Sequence, residues 1–319
     1  MAVVFSAAPR KDPPEKPTVF IKPQHDQALR LLDRLHLLTR EQVQRRFYAR
    51  SATSYAQRVL RELHEMGLVI RRYQPIIPTR SLVKPPYMYT LSTEGSNWLA
   101  RVYGGQKRRH RRDEDWGHYL FVEHMLATND FLIGLELLEQ RHEDVTIVEL
   151  RHGHELSREP IKVQLQRGDP PQEHQRSLAA DAWFTFRQGT EREGDCWVEI
   201  DRATEGQKDW KDKVAAMIAA FAASSGGQTP YEARFGSPNP ILIAVAVVPR
   251  NPAEAPLRVQ NLVRWTTLEL ERLRARAFGD LFRFTGLNPA LCTPEELFLQ
   301  PSWVAPGVKE PVPLLEGVR

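Results

Sequence analysis

Residues 28–103 hold three short helix-like runs, a glycine, two strand-like runs and a fourth helix-like run. The leucines of the first run recur three and four positions apart, which indicates one apolar helix face. A Thr-x-x-Gln capping box at Thr39 predicts a second helix over 40–48, and a third helix is predicted over 53–66. Gly67 follows the third helix and is the residue type that ends helices in the left-handed conformation. The amino-terminal third should therefore fold as three helices backed by a β-hairpin.

The predicted hairpin has two strand-like runs, 68–74 and 87–91, which flank a segment that contains prolines and positive charge. This order of elements is similar to that of winged helix-turn-helix domains, whose recognition helix enters the major groove of DNA. We expect such a domain over 25–104, preceded by a disordered tail over 1–24 and followed by a basic linker over 105–117.

The polar face of the third helix presents one hydroxyl, one amide and two guanidinium groups to a partner. Arg pairs with guanine, Gln pairs with adenine, and a Ser hydroxyl binds phosphate. Basic side chains continue in the wing tip and the linker, where they can follow a phosphate backbone without reading sequence. A solvated helix face and a solubilising linker are the alternatives. The predicted DNA-binding residues are Ser54, Gln57, Arg58, Arg61, Arg80, Lys84, Arg108, Arg109, Arg111 and Arg112.

Charge is divided unevenly along the chain. Residues 1–112 hold 22 Lys and Arg against 8 Asp and Glu, a net charge of +14, whereas residues 113–319 hold 22 against 32, a net charge of −10. A basic first third favours a polyanionic partner, with a merely solvated basic surface as the alternative. We find no apolar stretch of transmembrane length and no secretory signal, and the two cysteines cannot build a disulfide framework. These features favour a cytoplasmic protein without a membrane partner.

After residue 118 the helix-like and strand-like runs follow the order helix, strand, strand, strand, helix and strand. The last strand, 241–248, is a continuous apolar run typical of a strand buried on both faces. The polar segment 157–177 is expected to be a loop or a poorly formed hairpin. A helical and proline-rich extension is expected over 251–319. Its end, about 287–319, is expected to lie extended over the second domain or to be partly disordered. The order resembles the restriction-endonuclease-like fold of the PD-(D/E)xK superfamily, so we expect that α/β fold over 118–250 and an α+β and α/β chain overall.

Three acidic side chains lie at the ends of the predicted strands. Asp181 begins the second strand, while Glu199 and Asp201 end the third and, being two residues apart, point to the same side. The superfamily resemblance implies these three as Mg²⁺ ligands and catalytic residues of a nuclease. Asp201, however, stands where the superfamily has its lysine, which argues against hydrolysis. Solvated carboxylates or a salt-bridge network are alternatives. Three nearby basic residues do not have the required spacing: Arg202, Lys208 and Lys211.

Taken together, these runs make the chain similar to the replication-relaxation family of plasmid and mobile-element proteins. The resemblance covers about residues 28–250, and its sharpest string is Glu-Ile-Asp-Arg-x-Thr-Glu, which begins at Glu199. The other residues that carry it are Leu31-Leu32, Gly67-Leu68-Val69, Tyr89-Thr90-Leu91-Ser92, Gly95, His118, Asn129-Asp130 and Ala180-Asp181-Ala182. Membership implies a DNA-binding accessory role in plasmid replication or DNA relaxation.

The leading hypothesis is a DNA-binding accessory protein of plasmid or mobile-element replication or mobilisation. Its expected partners are double-stranded DNA and proteins of the replication or mobilisation machinery, and homodimerisation stays open. No cofactor is required by this hypothesis. One alternative is a Mg²⁺-dependent DNA nuclease. Another is a transcriptional regulator whose second domain dimerises or senses a ligand, for which a palindromic DNA site is expected.

Overall fold

The computed structural model describes residues 20–49, 51–75, 85–104, 119–167, 172–189, 192–223 and 227–315. The helices of these residues are α1 Pro23–Leu35, α2 Arg40–Phe47, α3 Thr53–Glu65, α4 Thr93–Tyr103, α5 Tyr119–Arg141, α6 Gly153–Leu156, α7 Gln207–Phe221, α8 Pro230–Phe235, α9 Ala255–Arg272 and α10 Pro294–Phe298. The strands are β1 Leu38–Thr39, β2 Val69–Tyr73, β3 Tyr87–Leu91, β4 Val145–His152, β5 Ile161–Arg167, β6 Gln172–Leu178, β7 Ala182–Gln188, β8 Arg192–Asp201, β9 Ile241–Val247 and β10 Phe282–Thr285. The chain is thus a mixture of helices and mixed sheets. Within these ranges no helix is long and apolar enough to cross a membrane.

The amino-terminal unit consists of α1 to α4 and a small antiparallel sheet in the order β1-β3-β2. The capping box predicted at Thr39 is confirmed, because its hydroxyl accepts the Gln42 N–H and the Gln42 side chain accepts the Thr39 N–H. Gly67 lies just after the end of α3 and has a φ of +73°, a left-handed conformation that glycine adopts without strain. The helix and strand positions predicted for this unit are confirmed to within a few residues, although α1 begins earlier than its leucine pattern indicated.

The second unit is built on a five-stranded mixed sheet in the order β10-β9-β8-β7-β4. β4, β7 and β8 pair antiparallel, whereas β8, β9 and β10 pair parallel. A parallel pair needs a crossover connection, and α7 supplies it between β8 and β9. The predicted order of helix, strands, helix and strand is therefore observed, with two added strands between β4 and β7.

Of the two alternatives expected for residues 157–177, a loop or a poorly formed hairpin, the structure shows a hairpin, and it is regularly paired. Residues in this segment form the antiparallel pair β5–β6, in which Ile161 stands opposite Leu178 and Arg167 opposite Gln172. Ile161, Val163 and Leu165 are buried against α7 and α8, so an apolar alternation with period two lies within the polar segment. The long polar side chains between these residues concealed the strand.

The carboxyl-terminal extension completes the fold. Its described end lies over the second unit, as one of the two expectations had it, and it includes one short helix, α10. β10 adds a fifth, parallel strand beside β9. Further along the chain, α10 packs against α5, with the Phe298 and Phe131 rings 5.1 Å apart. Trp303, Leu314 and Leu315 are also buried. Because these side chains cover α5, the extension contributes to the core that fixes this helix.

One apolar core joins the two units. It contains Leu32, Leu60 and other leucines of the amino-terminal unit together with Phe131 of α5 and Phe184 of β7. α5 is buried along much of its length because α2 and β1 pack on it while it also covers the sheet. The amino-terminal unit is therefore held on one face of the α/β unit by packing.

Buried polar contacts fix the alignment of this junction. Asn129 of α5 donates hydrogen bonds to the carbonyl oxygens of Leu35 and Leu37, at 3.1 and 2.5 Å. Its Oδ1 lies 3.0 Å from Nε2 of buried His152, and the His152 Nδ1 accepts the His154 N–H. These contacts assign the His152 proton to Nε2, so a chain of directed hydrogen bonds runs from the end of α1 to the end of β4.

Candidate functional site

The exposed face of α3 is the first candidate site. Ser54, Gln57, Arg58 and Arg61 are all exposed, as the sequence pattern predicted. The opposite face of the helix buries Ala56, Val59, Leu60 and Leu63 against α1 and α2. The helical period thus places the four polar side chains together on the solvent side.

The two arginines of this face are held only loosely. Arg58 lies 3.9 Å from Glu62 and Arg61 lies 3.7 Å from Glu65, with the arginine side chains 52% and 60% exposed. Exposed ion pairs of this kind contribute about 0–1 kcal/mol, so a phosphate or base edge can replace the glutamates at little cost. The Arg58 guanidinium also lies over the Tyr55 ring, 4.7 Å from its centre.

The hairpin beside α3 extends the polar surface. Arg71 of β2 is exposed and lies over the Tyr87 ring of β3 at 4.5 Å. The Tyr73 and Tyr87 rings stack, and their hydroxyl oxygens are 2.9 Å apart. These contacts stiffen the base of the hairpin. Six residues predicted to bind DNA lie outside the described residues: Arg80, Lys84, Arg108, Arg109, Arg111 and Arg112. The predicted linker, 105–117, and most of the predicted amino-terminal tail also lie outside them.

The second candidate site is a carboxylate cluster at one end of the five-stranded sheet. Asp181 immediately precedes β7 and Glu199 lies near the end of β8, with both side chains facing a cavity of about 130 Å³. Asp181 Oδ2 accepts the Ile200 N–H at 2.7 Å, and Glu199 Oε1 accepts the Trp197 indole N–H at 2.7 Å. Each carboxylate is therefore oriented by a fixed donor. Sequence reasoning correctly placed these two side chains at neighbouring strand ends.

Two basic groups that the sequence analysis did not assign complete the cluster. His124 of α5 reaches in from one face of the sheet, with its Nε2 2.8 Å from Asp181 Oδ1. Lys213 of α7 reaches in from the other face, with its Nζ 3.1 Å from Glu199 Oε2 and 2.8 Å from Glu205 Oε1. Helical periodicity gave a signal for Lys213, because the buried residues Trp210 and Met217 lie three positions before it and four positions after it, on the same face of the helix.

The basic residues considered from the sequence lie elsewhere. Arg202 points to Glu123 of α5, at 3.0 Å. Lys208 is exposed at the start of α7, and Lys211 is partly exposed on the same helix. Lys213 is thus the lysine that the fold brings to Glu199, 14 positions along the chain.

Asp201 faces the same side of β8 as Glu199, as the strand alternation predicted, but its carboxylate is already bound. Arg258 of α9 donates two hydrogen bonds to it, each 2.8 Å long, and the Ala203 N–H donates a third at 3.1 Å. The side chains of Asp201 and Arg258 are only 3% and 10% exposed. Asp201 therefore ties the end of β8 to α9, and its oxygens are occupied by protein donors.

Burial and charge set the protonation of the cluster. Burial raises the pKa of Glu199 to about 7, with Lys213 opposing and Asp181 reinforcing this shift. Burial alone would raise the pKa of Asp181, but His124 and Lys213 outweigh it and hold that pKa below its usual value. The Asp181 carboxylate in turn raises the pKa of His124. The carboxylates Glu199 and Glu205 raise the pKa of Lys213 despite its burial. The cluster therefore favours the anionic form of Asp181 and the cationic form of His124.

The cluster was also considered as a metal site. In the parts of the chain that are described, no three His, Cys, Asp or Glu side chains are arranged to hold a metal ion. Since Asp201 is bound by Arg258, the set predicted from the strand ends is reduced to Asp181 and Glu199. Two carboxylates suit Mg²⁺ when water and substrate phosphates complete its shell, as is usual for this ion. Both oxygens of each carboxylate are also contacted by protein groups, those of Asp181 by His124 and the Ile200 N–H and those of Glu199 by Trp197 and Lys213. A cation at this site would therefore have to displace some of these contacts.

Comparisons with known proteins identify the family of the chain. The replication-relaxation family profile matches residues 29–234, a span that includes α3, both carboxylates and Lys213. A comparison with curated proteins found no match, and neither did a comparison with solved structures. The match covers more than half of the 319 residues and confirms the resemblance drawn from the sequence. The chain therefore belongs to the replication-relaxation family.

Proposed function

We propose that the protein binds duplex DNA through a winged helix-turn-helix domain and serves replication or mobilisation of a plasmid or other mobile element. The observation that carries this proposal is the α3 face, where Ser54, Gln57, Arg58 and Arg61 are exposed together. α3 follows α2 after a short turn and precedes the β2–β3 hairpin, which is the element order of a recognition helix followed by a wing. Membership of the replication-relaxation family supports the same role.

The chemistry of the face suits both parts of a DNA site. Arg58 and Arg61 can each form two parallel hydrogen bonds with a guanine or a phosphate, and Gln57 can pair with adenine. Arg71 extends the positive charge onto the hairpin, and the segment of sequence that joins the two strands contains Arg80 and Lys84 of the proposed wing. Every phosphate contact of this kind makes affinity fall as salt concentration rises.

Gel-shift or fluorescence-anisotropy titrations at fixed salt test the proposal. Arg58→Ala/Arg61→Ala should weaken binding by a few kcal/mol, since a good base contact is worth about 1–3 kcal/mol. The matched control is Arg264→Ala/Arg276→Ala, which removes the same charge from exposed positions of the second unit. Loss of affinity in the first pair alone supports docking by α3. Equal affinities for both variants and the wild type would refute it.

A second candidate function is phosphodiester hydrolysis at the carboxylate cluster. The strand order and the α7 crossover resemble the restriction-endonuclease-like fold, and the observation that favours this function is Lys213. Its amine contacts Glu199 from a helix, in place of the lysine that the PD-(D/E)xK motif carries on the strand. The missing motif lysine was the main objection to this activity. A lysine supplied by α7 removes that objection without requiring Asp201 to act.

Each residue of the carboxylate cluster would have a distinct role in phosphodiester hydrolysis. Asp181 and Glu199 would hold a divalent cation, which supplies Lewis-acid activation of a phosphate and of a water. Lys213 holds a positive charge beside Glu199, where it can stabilise charge developing on a phosphate oxygen. Trp197 orients the Glu199 carboxylate through its indole N–H. His124 orients the Asp181 carboxylate and closes its Oδ1 edge.

Incubation with supercoiled plasmid and Mg²⁺ or Mn²⁺ distinguishes the two functions. Nicking by wild type that is lost in Asp181→Asn/Glu199→Gln and in Lys213→Met, but kept in Asp209→Asn, would establish the nuclease. Asp209 is an exposed carboxylate on the same helix as Lys213 and serves as the control. Retarded but intact plasmid with every variant would leave a DNA-binding protein that does not cleave. Circular dichroism of each variant checks that it is folded.

A further inference from the structure

The two arginines on the exposed face of α3 differ in what surrounds them. Each forms a loose ion pair with the glutamate one turn later in the helix, at 3.9 Å from Arg58 to Glu62 and 3.7 Å from Arg61 to Glu65. Of the two, only Arg58 lies over an aromatic ring of the described residues, that of Tyr55 one turn earlier. The same residue type therefore stands in two different environments on one helix face.

The Tyr55 ring that lies beside the Arg58 guanidinium is itself held in place. Tyr55 and Tyr48 pack edge to face, with their ring centres 4.8 Å apart and their planes at 70°. Both tyrosines are partly buried and pack against the apolar core. The guanidinium is attracted to the ring by a cation–π interaction, so a ring that cannot move restricts where the guanidinium lies.

Glu62, one turn after Arg58, is held in place by α1. Its Oε2 lies 3.1 Å from the Lys22 amine and 2.8 Å from Nε2 of His25, whose side chain is fully buried. The hydrogen bond with Lys22, together with that of His25, lowers the pKa of Glu62 and favours its anionic form. Its other oxygen, Oε1, is the one nearest Arg58. Glu62 is therefore a fixed negative charge beside that arginine.

A fixed carboxylate disfavours phosphate as the partner of Arg58. A phosphate is an anion, and Glu62 can move away from it only by breaking its contacts with α1. The acceptor edge of a guanine, O6 and N7, carries no net charge and meets no such repulsion. Glu65, in contrast, is 65% exposed and forms its only ion pair of the described residues with Arg61, so it can move aside for a phosphate. The two arginines therefore suit different partners.

We propose that Arg58 reads one guanine of the DNA site, whereas Arg61 contacts a phosphate. Tyr55 and Glu62 are the positioning residues that direct the Arg58 guanidinium toward the base. Two parallel hydrogen bonds to a guanine require a defined direction of the guanidinium, while a phosphate contact carries no sequence information. Arg58 also lies in the first half of α3, and recognition helices contact bases with their amino-terminal residues. This inference rests on the proposed DNA-binding function and divides the α3 face into a specific and a non-specific part.

Selection of preferred sequences from a random duplex library, with the full chain, tests the two roles. Arg58→Lys keeps the charge but loses the planar fork, so it should remove one guanine from the consensus and lower affinity for the wild-type consensus duplex by about tenfold or more. Its affinity for an unrelated duplex should change little. Arg61→Ala should keep the consensus, weaken binding to both duplexes by the same factor and reduce the slope of log affinity against log salt by about one. A guanine retained in the Arg58→Lys consensus, or one lost in the Arg61→Ala consensus, would overturn the assignment.

Two glutamates of the same helix test the positioning role. Glu62→Gln keeps an acceptor for Lys22 and His25 and removes the fixed charge. It should lower the preference for guanine at that position by about two- to fivefold, which is the effect of losing an exposed ion pair, and raise affinity for an unrelated duplex. Glu65→Gln is the matched control and should leave the preference unchanged. Equal preference for guanine in Glu62→Gln and the wild type would overturn the positioning role.

The wild type separates failure of this inference from failure of the proposed function. If it binds duplex DNA but selects no guanine, the assignment of Arg58 is overturned and the proposed DNA binding stands. If it has no measurable affinity for any duplex, both are overturned. Circular dichroism of each variant checks that a change in selection does not come from unfolding.

Discussion

Replacing Arg258 with Met should destabilise the protein strongly. Arg258 donates both of its 2.8 Å hydrogen bonds to Asp201, and both side chains are almost fully buried. Methionine retains most of the aliphatic stem and removes the charge. The Asp201 carboxylate then keeps a single backbone donor, from Ala203, in a place that water reaches poorly.

The size of the effect follows from that geometry. Removing one partner of a buried ion pair costs about 3–5 kcal/mol, because the remaining charge stays buried without compensation. The contact of the guanidinium with the Trp265 ring, at 5.2 Å, adds a smaller cation–π contribution that is lost as well. We therefore expect Arg258→Met to lower the free energy of unfolding by about 3–5 kcal/mol.

Urea denaturation followed by tryptophan fluorescence measures this free energy, and a second variant isolates the charge. Asp201→Asn/Arg258→Met removes both charges and should recover much of the loss, since replacing both partners of a buried pair is often neutral. A cost below about 1 kcal/mol in Arg258→Met would refute the reasoning, because it is the value of an exposed pair. If Mg²⁺ raised the free energy of unfolding of Arg258→Met and had no effect on the wild type, the freed Asp201 would be shown to bind a cation.

Three further changes probe other parts of the fold. Gly95→Ala places a Cβ 2.1 Å from the Leu68 carbonyl oxygen, so the chain must shift and thermal melting should show a loss of about 1–3 kcal/mol; an unchanged melting temperature would contradict the close packing. Asn129→Ala removes buried donors at the junction of the two units and should cost about 1–3 kcal/mol by urea denaturation, against no loss if water replaces the amide. Burial raises the pKa of Asp130 from 3.8 to about 6, so the folded state binds this proton more tightly than the unfolded state does. The stability that this proton contributes is fully present below pH 3.8 and is lost as pH rises through about 6. Asp130→Asn should flatten that part of the pH–stability curve, and equal slopes in both proteins would contradict the shift.

Local sequence patterns were enough to predict those elements whose start, end or burial is determined by a few neighbouring residues. The Thr39 capping box, the glycine after α3 and the apolar run of β9 each predict their structure without knowledge of distant residues. The polar face of α3 follows in the same way from helical period. Asp181 and Glu199 could be predicted as neighbours because each lies at the end of a predicted strand and because β7 and β8 follow each other in the chain.

The sequence could not reveal contacts that depend on distant packing. Lys213 reaches Glu199 only because α7 crosses back over the sheet, and Arg258 reaches Asp201 from a helix that is 57 positions away in the chain. The β5–β6 pair was predicted only as one alternative, a poorly formed hairpin beside a loop, although Ile161, Val163 and Leu165 alternate as a strand requires. Proline and several glutamines around that alternation favoured a loop, and packing on α7 decided in favour of the strands.

The shared apolar core makes the amino-terminal unit and the α/β unit interdependent for folding. An amino-terminal fragment that ended before α5 would expose Leu37 and Met88, which are buried against that helix in the whole chain. It would also lose the Asn129 amide that meets the carbonyl groups at the end of α1. We therefore expect the two units to unfold in a single cooperative transition, so that damage to α5 disrupts the proposed DNA-binding face of α3 and the geometry of the carboxylate cluster together.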